Sequence, residues 1–221
     1  MSNSIPVITI DGPSGSGKGT VSQRVADSLG WHILDSGALY RLTAYAVDKS
    51  GAGFENPEKA AEIAANLQVT FKSGQILLQD EDVTLSIRTE TAGNNASKVA
   101  AMPPVRAALL DWQKRSAKAP GLVADGRDMG TTVFPNAAVK IFLTASAEER
   151  AERRYKQLKE KGFTANVADL AAEIRERDER DQNRSTSPLV PASDALEIDS
   201  TQMSIDQVVE KILQAAKKAF V

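Results

Sequence analysis

The stretch Gly12-Pro13-Ser14-Gly15-Ser16-Gly17-Lys18-Gly19-Thr20 limits what this chain can fold into more than any other. Its Gly-x-x-x-x-Gly-Lys spacing grips phosphate when a buried strand leads in and a helix leads out. Both are present. Val7-Ile8-Thr9-Ile10 is a short, β-branched apolar run of the kind a buried parallel strand needs. Val21, Val25 and Leu29 recur at helical spacing, and Gly30 ends the helix they imply. Glycines let several backbone N–H groups converge on one anion, and the helix N-terminus adds partial positive charge. Lys18 is placed to reach the β- and γ-phosphates of a nucleoside triphosphate. Gly12 to Thr20 are therefore the predicted triphosphate site, set against the plainer reading of a Gly/Ser-rich turn.

The residue after Lys18 departs from the usual Ser or Thr, whose hydroxyl holds Mg²⁺. Here it is Gly19, with Thr20 one step later. A glycine offers no side-chain ligand, so Mg²⁺ is expected to rest mainly on nucleotide oxygens and water. The Gly-Lys-Gly-Thr form resembles nucleoside monophosphate kinases more than GTPases or motor ATPases.

With 221 residues, the chain is long enough for one α/β domain with insertions. Its 27 basic and 29 acidic residues leave a net charge of −2, which gives no support to a nucleic-acid or membrane-surface role. Cysteine is absent, which excludes disulfides, thiolate metal sites and a Cys nucleophile. No apolar run approaches the roughly 20 residues of a membrane span, and the N-terminus lacks a signal-peptide pattern, so a cytoplasmic enzyme is expected. The single histidine, His32, lies in the second predicted strand, Trp31-His32-Ile33-Leu34, and reads as a packed residue rather than a catalyst. Phosphoryl transfer needs little imidazole chemistry, because positioning and charge stabilisation do most of it.

Asp35-Ser36-Gly37-Ala38-Leu39-Tyr40-Arg41 follows that strand, where open α/β sheets bind ligands, and a helix is expected to run on to Lys49. Residues 51–102 change character. Pro57 to Asn66 predicts a short helix, and Leu67–Lys72 with Gln75–Gln79 a hairpin turning at Ser73-Gly74. Asp82–Leu85 is the expected third strand of that patch, and Gly93–Met102 a return hinge. Pro104 opens a helix reaching about Lys118. Gly121–Ala124 is the third core strand, and its end loop, Asp125-Gly126-Arg127-Asp128-Met129-Gly130, offers Arg127 and Asp128 to a ligand. The plainer reading is an Arg127–Asp128 ion pair on a surface turn.

Ala138–Leu143 is the fourth strand, and Ser146-Ala147-Glu148-Glu149 caps the helix after it. Arg150, Arg153 and Arg154 share one face there, followed by Lys156, Lys159 and Lys161. On the next helix, about Val167 to Asn183, no aliphatic or aromatic side chain occurs from Arg175 to Pro188. Arg177, Asp181 and Arg184 share a face, either solvated or closing over anions, and arginine's fork suits the second role. Ala195–Asp199 is the fifth strand, and Ser204–Gln207 caps a last helix that buries Val208, Ile212 and Ala216. The expected architecture is a doubly wound α/β domain of about five parallel strands (1–50 and 103–221) with an insert at 51–102 and a short lid near 150–166.

Four blocks carry a resemblance along nearly the whole chain. They are Ile10-Asp11-Gly12-Pro13-Ser14-Gly15; Leu34-Asp35-Ser36-Gly37 with Tyr40-Arg41; Ala124 to Gly130; and Glu176-Arg177-Asp178 with Arg180-Asp181 and Asn183-Arg184. In this order they resemble the bacterial cytidylate kinases, whose long insert the chain shares. The resemblance implies a P-loop fold and transfer of phosphate from ATP, with Mg²⁺, to CMP and dCMP. It implies that Gly12 to Thr20 hold ATP and that Lys18, Arg41 and Arg127 are catalytic. Arg41 and Arg127 match the CMP-phosphate residues; Ser36, Arg106, Asp128 and Arg184 match the cytosine pocket; Ser97, Arg177 and Asp181 lie near the pentose hydroxyls. It implies no protein metal ligand, no nucleic-acid or membrane partner, and a monomer.

Two other readings compete: a kinase acting on a hydroxyl with Asp35 as base, and a GTPase-like switch. The second lacks an Asn-Lys-x-Asp guanine motif, and Asp27-Ser28-Leu29-Gly30 lies too close to the phosphate loop to be its switch.

Overall fold

Val7–Asp11 is buried at every residue and takes the centre of a sheet, where such an apolar, β-branched run satisfies its backbone on both sides. The structure, a computed structural model, describes residues 5–72, 75–160, 162 and 164–220. In chain order the elements are β1 (Val7–Asp11), α1 (Lys18–Leu29), β2 (His32–Asp35), α2 (Ser36–Lys49) and α3 (Pro57–Ala65). Next come β3 (Val69–Lys72), β4 (Gln75–Leu78), β5 (Glu81–Asp82), a 3₁₀ turn (Ser86–Arg88), α4 (Glu90–Ala100) and α5 (Pro103–Arg115). The rest are β6 (Leu122–Gly126), a π-helical turn (Met129–Val133), β7 (Val139–Thr144), α6 (Ala147–Glu160), α7 (Val167–Gln182), β8 (Leu196–Asp199) and α8 (Ile205–Phe220).

The chain forms two units, residues 36–115 and the remainder. The smaller unit is wider than the expected insert at 51–102, because it also takes in α2 and α5.

In the larger unit the sheet runs β2-β6-β1-β7-β8, and every pairing is parallel. Alternate strand residues Ile8, Ile10, Val123, Ile141, Leu143 and Ile198 pack with Val21 and Val25 of α1 and Val208, Ile212 and Ala216 of α8. The stripes read from the sequence are thus core. Gly30 ends α1 in the left-handed region (φ 66°). The Ser204/Gln207 box forms in both directions: Gln207 N donates to Ser204 Oγ at 3.3 Å, and Ser204 N donates to Gln207 Oε1 at 2.9 Å. α6 and α7 pack through Ala151, Leu170 and Ala171, with Tyr155, Leu158 and Ile174 around them.

The smaller unit is mostly helical. Leu39, Tyr40 and Val47 of α2 share a core with Ala60, Ala64, Val99, Val105 and Leu109. β3 and β4 pair antiparallel, Val69 opposite Leu78 and Lys72 opposite Gln75; the Ser73-Gly74 turn lies outside the described residues, as does Lys161 of the lysine run.

Two expectations fail here. The third strand is only Glu81–Asp82, not Asp82–Leu85. The Asp82 carboxylate accepts from Thr84 N at 3.0 Å and from Thr84 Oγ1 at 2.6 Å, and this local turn outcompetes the ladder. Leu85 is left 81 % exposed. Gly93–Met102 is not a hinge, since α4 runs through it, capped by Thr89 Oγ1 accepting from Ala92 N at 3.1 Å. Its small residues pack closely, burying Gly93, Ala96, Ser97, Val99 and Ala100.

Candidate active site

The phosphate loop leaves β1 at Gly12, against the neighbouring strand. A Cβ there would lie 2.0 Å from the Leu143 carbonyl oxygen, and φ is +147°, so only glycine fits. The loop then closes on itself. Ser16 Oγ donates to the Pro13 carbonyl at 3.1 Å, and Lys18 Nζ donates to the same oxygen at 2.7 Å. Lys18 opens α1 and is 5 % exposed. Burial first and the Arg127 charge second lower its pKa to about 7, with Asp125 and Asp11 opposing the drop.

Those two carboxylates went unassigned in the sequence. Asp125 ends in a fully buried stretch of β6, and burial raises its pKa to about 7 against the pull of Lys18. Its Oδ2 is 3.6 Å from where a Cβ of Gly19 would stand, so a carboxylate occupies the surroundings in which a Ser or Thr usually projects. Asp11 is 4 % exposed and is likewise raised, to about 6, by burial. A charged residue directly at the end of an apolar strand was the available signal for both.

Arg127 and Asp128 do not form the surface pair considered above. Arg127 Nε donates to Asp181 Oδ2 at 3.2 Å, joining the β6 end to α7, while the Asp128 residue is only 2 % exposed. Arg184 Nε donates to the Asp181 carbonyl at 3.1 Å. Arg177 is half-buried on α7, and its charge acts on Lys18. The larger unit therefore gathers Lys18, Arg127, Arg177 and Asp181. The arginine-rich face of α7 is not simply solvated: Asp181 is buried and Arg177 half-buried, while Arg184, expected on the same face, lies just beyond the helix end and is buried there.

Arg150 and Arg153 also turn toward the loop. Arg150 Nη1 donates to the Ser14 carbonyl at 3.0 Å, and Arg153 Nη1 to the Ser16 carbonyl at 3.5 Å, while Arg153 Nη2 is held by the Ser200 carbonyl at 2.8 Å. The exposed Lys156 and Lys159 match the plain reading of a solvated run.

The smaller unit holds the remaining predicted residues. Ser36 opens α2, and its buried Oγ accepts from Gln113 Nε2 at 2.8 Å. Gln113 lies two helical turns beyond Arg106 on α5, and nothing in that spacing pairs it with Ser36. The Arg106 guanidinium sits 5.8 Å from the Tyr40 ring centroid and donates to the Ala100 carbonyl at 3.3 Å. Arg41 Nη1 donates to the carbonyls of Ile87 at 2.8 Å and Thr89 at 3.0 Å. Ser97 is buried on α4. Among the described residues no group of three or more His, Cys, Asp or Glu could hold a metal ion.

A glycine loop between a parallel strand and a helix, closed by a buried lysine and bordered by arginines, defines a P-loop kinase that binds nucleotide. The comparisons narrow the class. The cytidylate kinase family model matches residues 8–218, and the chain belongs to that family. It is 58 % identical to a cytidylate kinase of Colwellia psychrerythraea over 221 residues, covering 98 % of each chain. It is 57 % identical to one from Marinomonas sp., covering 99 % of each. By fold alone, it resembles the crystal structure of an uncharacterized protein from Eubacterium ventriosum at TM-score 0.54 and 8 % identity, covering 96 % of this chain and 98 % of the other.

Proposed function

We propose that this kinase transfers the γ-phosphoryl group of ATP to CMP or dCMP, giving ADP and CDP or dCDP. The observation that carries the reading is the near-full-length similarity to relatives named cytidylate kinase. The charge layout supports it. ATP and CMP are polyanions, so bonding distance requires cations from several directions, and each charge-assisted contact contributes roughly 1.5–3 kcal/mol. In this reading the amides of Gly12 to Thr20 and Lys18 hold ATP, while Arg41 and Arg127 hold the CMP phosphate.

A phosphate monoester with a second pKa of about 6 is mostly dianionic at neutral pH, so its oxygen attacks without a protein base. The oxygen bonds to the γ-phosphorus as the bond to the bridging oxygen breaks, and ADP leaves with that electron pair. The buried Asp128 suits the exocyclic amine of cytosine, a donor that uracil lacks. Gln113 orients the Ser36 hydroxyl, and Arg106 and Arg184 complete the base contacts. Ser97, Arg177 and Asp181 serve the pentose.

Mg²⁺ belongs to the same proposal. Gly19 has no ligating side chain, and a carboxylate, Asp125, stands beside it, which fits an ion carried on nucleotide oxygens and water. Bound there, the ion would neutralise charge on the phosphates. Closure of the short lid expected near 150–166 would exclude water as a competing acceptor. Action as a cytoplasmic monomer completes the reading; among the described residues no helix is long and apolar enough to cross a membrane.

The test is an ADP-release assay across CMP, dCMP, UMP and AMP. CMP and dCMP should turn over fastest. A preference for AMP, or release of ADP without formation of CDP from CMP, would overturn the assignment.

A further inference from the structure

Asp11 stands one residue before the phosphate loop, yet its carboxylate is bonded to a distant segment. Oδ1 accepts the Met129 N–H and Oδ2 the Gly130 N–H, each at 2.8 Å, across 118 and 119 residues of sequence. Both oxygens are thus engaged inside the protein, where a carboxylate is expensive to bury without such partners. Met129 and Gly130 open the π-helical turn that begins immediately after Asp128. The same turn hangs on Asp128 by its backbone, for Thr132 N and Val133 N donate to the Asp128 carbonyl at 2.9 and 3.2 Å. Gly130 permits the close approach: a Cβ there would lie 2.8 Å from Thr9 Oγ1 and 3.3 Å from Asp11 Oδ2. The backbone that aims the Asp128 side chain is therefore clamped to the end of β1, next to the first residue of the ATP loop.

We propose that Asp11 is a positioning residue for recognition of the acceptor base: by holding the Met129 and Gly130 amides it fixes where Asp128 presents its carboxylate. The inference rests on the reading of Asp128 as the group that accepts from the exocyclic amine of cytosine. A side chain displaced by about 1 Å can lose on the order of 10²-fold in a well-positioned site. The effect should fall on discrimination between bases, since Asp11 itself makes neither of these bonds to the phosphate loop.

The experiment compares full-length wild type, Asp11→Asn and Asp128→Ala in kcat/KM for CMP and for UMP, with KM for ATP measured alongside. Asparagine keeps the size and one acceptor but turns an NH₂ toward one of the two amides. Asp11→Asn should lower the CMP-over-UMP preference by about tenfold or more, while KM for ATP does not rise in step with it. The preference is a ratio taken on one enzyme, so a lower folded fraction leaves it unchanged. Preference lost in Asp128→Ala but intact in Asp11→Asn overturns the positioning role alone. Preference intact in both overturns the reading of Asp128. A loss on ATP equal to the loss on CMP would assign Asp11 to the phosphate loop instead. If Asp11→Asn yields no folded protein, Gly130→Ala carries the test, because its added Cβ displaces the same turn. A lowered preference in that variant supports the proposal, and a wild-type preference overturns it.

Discussion

The Arg150 guanidinium meets both oxygens of the Asp178 carboxylate, Nη1 to Oδ1 at 3.1 Å and Nη2 to Oδ2 at 2.5 Å. Its remaining bonds go to main-chain oxygens, Nε to Ala145 at 2.9 Å and Nη1 to Ser14 at 3.0 Å. One side chain on α6 thus ties α7 and the end of β7 to the phosphate loop. The pair is largely withdrawn from water, with side-chain exposures of 5 % and 15 %.

Removing one partner of a buried pair strands the other charge, at a cost of about 3 kcal/mol or more. Asp178→Ala should therefore lower the melting temperature by roughly 6–12 °C for a chain of this length. Arg175→Ala is the control, because its pair with Glu148 has side-chain exposures of 57 % and 67 % and should contribute less than about 1 kcal/mol. Equal shifts for the two variants in thermal unfolding would remove the special standing of Arg150–Asp178.

Lys18→Ala should lower turnover by on the order of 10²–10³, the usual loss when a donor to the developing charge is deleted. Steady-state rates with saturating ATP and CMP measure it. Turnover close to wild type would take Lys18 out of the mechanism.

Proton linkage gives a third expectation. With its pKa lowered to about 7, Lys18 is charged below that pH and progressively loses its proton above it. A polyanion favours the charged lysine and the protonated forms of Asp125 and Asp11, so all three groups shift in the same direction on binding. ATP binding near neutral pH should take up protons, and affinity should fall as pH rises from about 7 to 9. Calorimetry in two buffers of different ionisation enthalpy counts the protons. Release rather than uptake would contradict the burial-lowered lysine.

Arg41→Ala should raise KM for CMP by about tenfold or more while leaving KM for ATP nearly unchanged, as loss of one charge-assisted contact to the acceptor phosphate requires. Equal increases for both substrates would place Arg41 elsewhere.

Much of the fold was legible because its signals are local. Val7–Ile10, the Val21/Val25 stripe, the Ser204/Gln207 box and Gly30 each state their structure within a few residues. α4 was not legible. Gly93-Asn94-Asn95 reads as a loop, and only the burial of Ala96, Val99 and Ala100 among other helices makes it helical, a tertiary override of weak propensity. The third hairpin strand failed for the opposite reason, a local Asp82–Thr84 turn that an alternation pattern cannot display. In the candidate site, Lys18 and Arg127 could be named from motif and position. The Gln113–Ser36 bond, across 77 residues, and the Asp11 clamp, across 118, depend on packing that no spacing rule encodes.

The 2.0 Å separation between a notional Gly12 Cβ and the Leu143 carbonyl has a consequence for affinity. The loop's curvature at that end is moulded by the adjacent strand, so it exists before any phosphate arrives. Little ordering entropy is then charged against nucleotide association there, and tight binding requires fewer direct contacts than a floppy glycine segment would demand.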